Sequence, residues 1–473
     1  MARKPVVFIP GLPASELRQI SKNRTFFPPS LGDLLDPEKK KRLIALLVGP
    51  DDPPGDIVAG DPIRDVLGIA KQAQSLYDIL RSNRYGYTIN SGDNFRPVGW
   101  DWRKAVDDAA VQERALRAID ELQQRNGGAK VVVIVHSTGS LVLRRLLEVH
   151  PEVAEKVEQI VAFGATWAGN VVAIRSLIRG VQVGFWPARL TAADVRTVNR
   201  HAQAVYDLFP PDPAKTDLTG ANGRPLGLFV LDRPQRPQAG PLVDLRWTPS
   251  GSANDFIRQM AADADHRMGA RTSDIRLPGG IPTPPVTNIV GWGETTDTTC
   301  VMSDGGDVQF ETSKEGDGTS ALTSAGWLRG PSLRTLFLPI GVYPTNGIPT
   351  VHARIWDAPP VLEPLDEVLL DVPRSPFVCA AADSDEMIDR RKDVTLRITA
   401  QEADGGALED AQVLLRKVSV QPLRFQGRAR MDAIVPRAAI RPDAQGIFRF
   451  VAEVSWGPAG ARKQREMVVI LKA

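Results

Sequence analysis

Apolar residues in the first third of the chain follow two spacings, one typical of buried strands and one typical of amphipathic helices. Apolar runs rich in β-branched residues predict strands over residues 5–9, 130–135 and 157–163. Residues 109–125 have helical spacing that stops at Asn126-Gly127-Gly128, and helical spacing returns after Ser137. This succession of strands and helices predicts a doubly wound, mostly parallel sheet.

The alternation breaks at about residue 170 and stays irregular to about residue 285. Two stretches with helical spacing, Val171–Leu177 and Ala192–Phe209, are separated by connections rich in proline and glycine. We interpret residues 170–285 as a cap inserted into the sheet domain.

The sheet pattern resumes after this insertion. Residues 287–292 and 334–340 are predicted as strands, and residues 298–312 between them as a hairpin that turns at Asp304-Gly305-Gly306. We therefore expect one domain over residues 1–372.

From about residue 373 the pattern changes to short alternating runs separated by turn residues. Runs of this kind every ten or so residues are typical of a small β-sandwich. The predicted strands are residues 394–401, 411–418, 447–454 and 467–471. A second, β-sandwich-like domain is therefore expected over residues 373–473.

Composition excludes few classes of protein. Among 473 residues, 42% are hydrophobic and 24% are charged, which is ordinary for a globular chain. A formal net charge of +2 gives no global field that would attract nucleic acid, so we expect no nucleic-acid partner. We find no cluster of cysteine and histidine with zinc spacing and expect neither a metal nor another cofactor.

The cysteines and the apolar segments indicate the cellular compartment in which we expect the protein. The two cysteines, Cys300 and Cys379, rule out a disulfide framework; a single bridge is one alternative, and free thiols in a reducing compartment are the other. The apolar run at residues 5–9 is too short for a signal peptide, and no stretch approaches the roughly 20 apolar residues that span a bilayer. We expect a cytoplasmic protein, with signal-independent secretion as the alternative.

The candidate chemistry begins at Ser137. A predicted strand runs into His136-Ser137-Thr138-Gly139 and then a helix, which is the arrangement of a nucleophile elbow. Such a turn projects the hydroxyl from the edge of the sheet and directs the positive end of the helix at a developing oxyanion. Val135 departs from the usual glycine, and a serine that merely caps the helix is the alternative.

A serine hydroxyl needs a base and an acid that orients the base. Of the five histidines, His352 follows the last predicted strand of the sheet, where the base of such enzymes belongs. The candidate acid is Asp317, whose flanking glycines permit a tight loop, with Asp304 and Asp307 as rivals. The alternative for His352 is a histidine in a surface loop, and the alternative for Asp317 is an ordinary turn aspartate.

An oxyanion hole requires two N–H donors that are already in place. Thr138 directly follows the candidate nucleophile and supplies one. The other should come from Pro10-Gly11-Leu12-Pro13 after the first strand, and because Pro13 has no N–H, Leu12 is the candidate.

Several segments together resemble the lecithin:cholesterol acyltransferase family of α/β-hydrolases, which includes phospholipid acyltransferases and relatives similar to bacterial lipases. In chain order they are residues 6–15, Gly99-Trp100-Asp101-Trp102-Arg103, His136-Ser137-Thr138-Gly139, residues 163–169, residues 204–210, Gly316-Asp317-Gly318-Thr319 and His352. The chain departs from this family at three positions. Val135 stands where the family has a glycine, Ser140 stands where it often has a second glycine, and Ser320 stands where an apolar residue is common.

The resemblance implies an α/β-hydrolase fold with Ser137 as nucleophile, Asp317 as acid and His352 as base. It also implies an oxyanion hole at Leu12 and Thr138 and a cap over an acyl pocket. Candidate pocket residues are Trp167, which follows a strand at the carboxyl edge of the sheet, and Phe185 and Trp186 in the cap. For Asp101-Trp102-Arg103 we favour a bracing role beneath the site over contact with substrate.

The leading hypothesis is hydrolysis or transfer of an acyl group from a lipid-like carboxylic ester, with transient contact between the cap and a membrane surface. A small soluble ester, a thioester or a polyester is an alternative substrate. A catalytically inactive binding protein that retains the fold is the alternative from another class. The sequence names no partner for the C-terminal β domain, although this region faintly resembles prealbumin-like modules.

Overall fold

The computed structural model describes most of residues 3–471. The ranges and positions outside the described residues are 50, 52, 67–69, 72, 90–93, 182, 186–187, 211–229, 232–267, 269–270, 303–307, 342, 344–350, 384–392, 417, 419–420, 437–447 and 459–460.

Six parallel strands form the central sheet, in the spatial order β6-β5-β4-β3-β1-β2. They are β1 (Val6–Ile9), β2 (Phe95–Pro97), β3 (Val131–His136), β4 (Val157–Phe163), β5 (Val286–Trp292) and β6 (Leu333–Pro339). Every residue of β1 and β3 is buried, which explains their unbroken apolar runs. The prediction of a doubly wound α/β fold is confirmed, while β2 was not predicted.

The direction of the strand order reverses between β1 and β3. The chain moves from β1 to β2 on one side, and then from β3 through β6 on the other. At such a switch point the loops that leave neighbouring strands diverge and open a crevice at the carboxyl edge of the sheet. The loops after β1 and β3 therefore flank the natural position for a site.

Helices cover both faces of the sheet, as predicted. Helices Ala109–Arg125 and Gly139–Val149 pack on the face that carries Val7 and Val133, and helices Ala73–Arg81 and Leu362–Leu369 pack on the opposite face. Outside the cap, the other helices among the described residues are Leu31–Leu35, Pro37–Val48, Val153–Lys156 and Leu322–Ala325, with 3₁₀ turns at Pro278–Gly280, His352–Asp357 and Pro359–Val361.

A small antiparallel sheet that the sequence did not predict precedes β2. Its strands are Ser15–Gln19, Arg24–Phe27 and Ile57–Pro62, and a two-stranded ladder of Asp65–Val66 with Ala70–Lys71 follows. Its first strand buries Ser15 and Gln19, and the Gln19 amide donates to Asp56 at 2.8 Å. Because polar residues occupy inward positions, the alternation that marks a half-buried strand is hidden.

Much of the predicted cap, including residues 211–229 and 232–267, lies outside the described residues. The described part contains helices Val171–Ile178, Ala192–His201 and Gln203–Asp207 and a hairpin of Val183–Phe185 with Ala188–Leu190.

The prediction of one helix over residues 192–209 is wrong. The helix ends at His201, Ala202 adopts an extended backbone, and a second short helix begins at Gln203. The N–H of Gln203 donates to the carbonyl of Arg103 at 2.8 Å. A contact distant in sequence thus captures an N–H that a continuous helix would use, and the helical periodicity alone gives no sign of it.

The predicted hairpin after β5 is confirmed. Strands Thr296–Met302 and Val308–Ser313 pair antiparallel, and the short strand Val230–Leu231 pairs parallel with the first of them. The predicted turn at Asp304-Gly305-Gly306 lies outside the described residues.

Two antiparallel sheets form the C-terminal region, as the alternating pattern predicted. One contains β7 (Phe377–Ala382), β8 (Val394–Gln401) and β11 (Arg430–Val435), and the other contains β9 (Gln412–Arg416), β10 (Leu423–Arg424), β12 (Phe448–Trp456) and β13 (Lys463–Leu471). Their inner faces share an apolar core that includes Ile398, Val413 and Val454. Strands β7, β10 and β11 were not predicted, and the domain boundary at residue 373 stays a prediction.

Both cysteines are buried free thiols. In the part of the chain that the structure describes, no helix is sufficiently long and apolar to span a membrane.

Candidate active site

Ser137 lies in a strained turn at the carboxyl end of β3. Its φ of +51° is in the left-handed region, which a non-glycine residue adopts only when its surroundings hold it there. Helix Gly139–Val149 begins two residues later. A Cβ on Gly139 would lie 2.4 Å from the carbonyl oxygen of Ile9, so only glycine lets the elbow approach β1 this closely. The local structure is that of a nucleophile elbow.

Two departures from the usual elbow sequence are accommodated in the interior. Val135 is fully buried in β3, between Ile9 of β1 and Ala162 of β4. The hydroxyl of Ser140 donates to the carbonyl of Ser137 at 2.7 Å and accepts the N–H of Thr166 at 3.2 Å. Ser140 therefore ties the turn to the segment after β4, a bond that a glycine at that position would not make.

The loop after β1 packs directly against Ser137. A Cβ on Gly11 would lie 2.7 Å from Cβ and 3.2 Å from Oγ of Ser137. The indole Nε1 of Trp100 donates to the carbonyl of Pro10 at 2.9 Å and holds this loop in place. Neither the N–H of Leu12 nor that of Thr138 donates to another group among the described residues, which is the condition an oxyanion hole requires.

His352 and Asp317 are brought together from loops that follow neighbouring strands. Nδ1 of His352 donates to Oδ2 of Asp317 at 2.7 Å. The other carboxylate oxygen, Oδ1, accepts the N–H groups of Thr319 and Ser320 at 3.0 and 2.7 Å. The Asp317 side chain is 0% exposed and that of His352 is 11% exposed. Burial strengthens this pairing and fixes the orientation of the imidazole.

The second ring nitrogen of His352 has no hydrogen-bond partner in the described part of the chain. Nε2 is buried and makes no hydrogen bond to any residue that the structure describes, Ser137 included. In the neutral tautomer that has its proton on Nδ1, Nε2 presents a lone pair. A buried acceptor without a donor is uncommon and marks a position suited to proton transfer.

Gly164 permits Asp317 and His352 to meet at the end of β4. A Cβ at this position, which has a φ of +51°, would lie 3.0 Å from Oδ2 of Asp317 and from Nδ1 of His352. Ser320 donates from its hydroxyl to the carbonyl of Gly164 at 3.1 Å. Gly164 lies in the segment 163–169 that resembles the family, but its place beside Asp317 and His352 was not predicted.

His136 is a buried neighbour of His352, the candidate base. Its Nε2–H donates to the main-chain carbonyl of His352 at 2.9 Å, and its ring centroid lies 4.9 Å from that of Trp356. Burial, and to a smaller extent the nearby His352, lowers the pKa of His136 to about 3. The ring is therefore neutral near pH 7 and packs as a support for His352.

Five other residues were predicted as parts of the substrate pocket or as rivals to Asp317. Trp167 is fully buried and its Nε1 donates to Asn288 of β5 at 3.2 Å, which favours a place in the core. The backbone of Phe185 lies in the cap hairpin, and Trp186 is outside the described residues. The rival acids Asp304 and Asp307 are also outside them. Their roles stay predictions.

The Asp-Trp-Arg segment braces the structure beneath the loop after β1. Buried Arg103 pairs with Asp101 at 2.7 Å and with Asp51 at 3.1 Å. Trp102 donates from its indole to the carbonyl of Ser15 at 3.3 Å. These contacts favour the bracing role.

Among the described residues, no group of three histidine, cysteine or acidic side chains is suited to bind a metal ion.

Sequence comparison finds a family resemblance over part of the chain. The family model for lecithin:cholesterol acyltransferase matches residues 66–226, which include the elbow and the Asp-Trp-Arg segment. The chain contains a lecithin:cholesterol acyltransferase-like region. The resemblance predicted from the motifs is thereby confirmed.

The chain is similar to the lysosomal phospholipase A and acyltransferase of Mus musculus, with 33% identity over 99 residues, or 20% of this chain and 23% of the relative. The protein of the same name from Homo sapiens is 32% identical over 123 residues, or 25% and 28% of the two chains. The chain thus matches about a quarter of the length of these relatives.

A solved structure of the Tle4–Tli4 complex has a TM-score of 0.42 and 13% identity, over 75% of this chain and 95% of that chain. A propeptide form of the Bacillus licheniformis lipase BlEst2 has a TM-score of 0.31 and 11% identity, over 99% and 93%. The fold assignment rests on the strand order given above.

Proposed function

We propose that this protein is a serine ester hydrolase or acyltransferase that acts on lipid-like carboxylic esters through an acyl-enzyme on Ser137. Two observations carry the proposal: Nδ1 of His352 is held by Asp317 while its Nε2 has no hydrogen-bond partner among the described residues, and Ser137 lies in a strained elbow. A helix-capping serine requires neither the positive φ nor the oriented imidazole.

In the first half-reaction, Oγ of Ser137 attacks the ester carbonyl carbon and Nε2 of His352 takes the hydroxyl proton. The carbonyl oxygen becomes an oxyanion, which accepts hydrogen bonds from the N–H groups of Leu12 and Thr138. Collapse of this intermediate breaks the bond to the leaving alkoxide, which receives the proton from His352.

In the second half-reaction, water or an acceptor alcohol attacks the acyl carbon and gives its proton to His352. The proton then returns to Oγ as the acyl product leaves. Asp317 stabilises the imidazolium that forms in each step and stays ionised. Hydrogen bonds between nucleophile and base commonly shorten only when substrate is bound, which is compatible with the absence of a direct Ser137–His352 bond among the described contacts.

The lipid-like substrate class is supported by the similarity to phospholipase A and acyltransferases. Contact with a membrane surface through the cap, and a cytoplasmic location, belong to the same proposal.

A fluorophosphonate probe tests the nucleophile. We expect the wild type to gain one adduct by intact mass, Ser137→Ala to gain none, and Ser82→Ala to react like the wild type. Ser82 is a suitable control because its hydroxyl makes only a local bond to the carbonyl of Ile79, at 2.6 Å. No adduct on the wild type, or an equal adduct on Ser137→Ala, would contradict the proposal.

The substrate class requires a separate test. Initial rates should be measured on p-nitrophenyl esters of increasing acyl length and on phosphatidylcholine vesicles. Rates that rise with chain length and release of fatty acid from the vesicles are expected. Activity confined to short soluble esters would remove the lipid substrate and leave the acyl-enzyme.

A further inference from the structure

The C-terminal β region contacts the central sheet beside the site. Strand β6 lies at the edge of the sheet, and the side chain of Gln401 from β8 bonds to its backbone. The Gln401 amide donates to the carbonyl of Thr335 at 2.9 Å, and its oxygen accepts the N–H of Phe337 at 2.7 Å. Covered edges of this kind satisfy backbone groups that would otherwise face solvent.

A buried arginine extends this contact to the carboxyl ends of β5 and β6. Arg397 of β8 is 2% exposed and pairs with buried Asp383. Its Nη1 donates to the carbonyl of Ile340, directly after β6, at 2.9 Å. The aliphatic part of its side chain packs on Gly293, directly after β5. A Cβ at Gly293 would lie 2.4 Å from Cδ of Arg397. One guanidinium thus bridges the ends of two neighbouring strands.

These two strand ends lead to the candidate acid and base. The N–H of Gly293 donates to the carbonyl of Lys314 at 2.7 Å, and that of Glu294 to the carbonyl of Gly316 at 3.0 Å. The acid loop therefore lies along the segment on which Arg397 packs. Ile340 starts the connection that ends at His352.

A second arginine of the same sheet reaches the acid loop directly. Arg430 of β11 donates to Glu315 at 2.9 Å and lies over the ring of Trp292, 5.1 Å from its centroid. The indole of Trp292 in turn donates to Thr399 of β8 at 3.1 Å. The loop that carries Asp317 is thus held from one side by the C-terminal region.

We propose that Arg397 is a positioning residue for the Asp317–His352 pair, through its bridge between the ends of β5 and β6. On this basis the C-terminal β region is part of the catalytic architecture. The inference rests on the proposed function of Ser137. Arginine suits the task because its planar fork binds a carboxylate and a carbonyl at once, which lysine does not reproduce.

The test uses the full chain, with p-nitrophenyl butyrate and a fluorophosphonate as probes. Arg397→Met should lower kcat and the labelling rate by about 10- to 100-fold, the range expected when catalytic groups are displaced by roughly an ångström. KM should stay within about twofold, because the substrate contacts are unchanged. Arg397→Lys should lower kcat as well, by a smaller factor, and it decides the question if the methionine variant does not fold.

Arg416→Met is the matched control. Arg416 is also an ion-paired arginine of the C-terminal sheets, held by Glu453 and Glu466, but it lies on their exposed side. Its replacement should leave kcat unchanged. Thermal unfolding of each variant sets an assay temperature at which all of them are folded.

A double-mutant cycle separates positioning from general loss of stability. In an Asp317→Asn background, labelling measured over hours should be nearly insensitive to Arg397→Met, since the arginine acts through the acid. Full additivity, or wild-type kcat in Arg397→Lys, overturns the inference. Those outcomes leave the proposed function intact if the wild type is labelled, whereas a wild type without labelling removes both.

Discussion

Nε2 of His136 donates a 2.9 Å hydrogen bond to the main-chain carbonyl of His352, so the residue beside the candidate nucleophile supports the backbone of the candidate base. The centroids of the two imidazole rings are 4.9 Å apart. A second imidazolium at this distance would oppose protonation of the base during the reaction. Burial prevents this, because it lowers the pKa of His136 to about 3.

The neutral state of His136 predicts a specific loss of stability in acid. Its folded pKa of about 3 lies below its ordinary value of 6.5, so the stabilisation is complete above pH 6.5 and is lost as the pH falls toward 3. Between pH 6.5 and pH 5 the unfolded state should gain about 2 kcal/mol from protonation of this residue. Urea unfolding at pH 7 and pH 5 measures the difference.

His136→Gln should lack this part of the pH dependence, whereas His150→Gln should retain it. His150 is the suitable comparison because its side chain is 34% exposed at the end of a helix. An unchanged pH dependence in the His136 variant would show that the residue is accessible to protons in the folded state.

Replacement of the acid by its amide should abolish most activity. In Asp317→Asn the side-chain oxygen can still accept the N–H groups of Thr319 and Ser320, but the amide nitrogen then faces His352 and favours the wrong tautomer. A fall in kcat of about 10⁴-fold is expected, the size seen for this change in other triads. Asp357→Asn serves as control, because Asp357 pairs with Arg354 and is not bonded to the imidazole. A variant of Asp317 with near wild-type kcat would exclude it as the acid.

Gly11 should tolerate no side chain. The Cβ of Gly11→Ala would lie 2.7 Å from Cβ of Ser137, so the loop that carries Leu12 must move away from the elbow. We expect a drop in kcat of about 10- to 100-fold. Gly32→Ala, where the nearest atom is 3.8 Å away in a helix, should leave steady-state kinetics unchanged. Equal kinetics for both variants would mean that the loop does not form the oxyanion hole.

Restoring the customary glycine at Val135 should weaken the protein without improving it. Val135 is completely buried between two strands, so Val135→Gly leaves a cavity and a more flexible strand. The free energy of unfolding should fall by about 3 kcal/mol, and kcat should not rise. Val58→Gly, at a strand position that is 36% exposed, should cost less in chemical denaturation. A gain in kcat for Val135→Gly would identify the valine as a block to catalysis.

The pattern of the sequence predicted most of the central sheet because those signals are local. Strands β1, β3 and β4 and helix Ala109–Arg125 are marked by their own apolar spacing. Strand β2 has three residues and the strand Ser15–Gln19 buries polar side chains, so neither produces the expected pattern. The break in the helix at Ala202 was not predicted, because the hydrogen bond there joins the N–H of Gln203 to the carbonyl of Arg103, which is distant in sequence.

The sequence by itself determined the strand–turn–helix at Ser137 and the order of serine, acid and histidine along the chain. Both depend on local backbone preferences and on residue identity. Tertiary structure decided which acid meets which base and how the pair is held. The His352–Asp317 bond spans 35 residues and the Arg397–Ile340 bond spans 57. Contacts of this range form only when strand order and register bring loop ends together, and no periodicity within one segment encodes them.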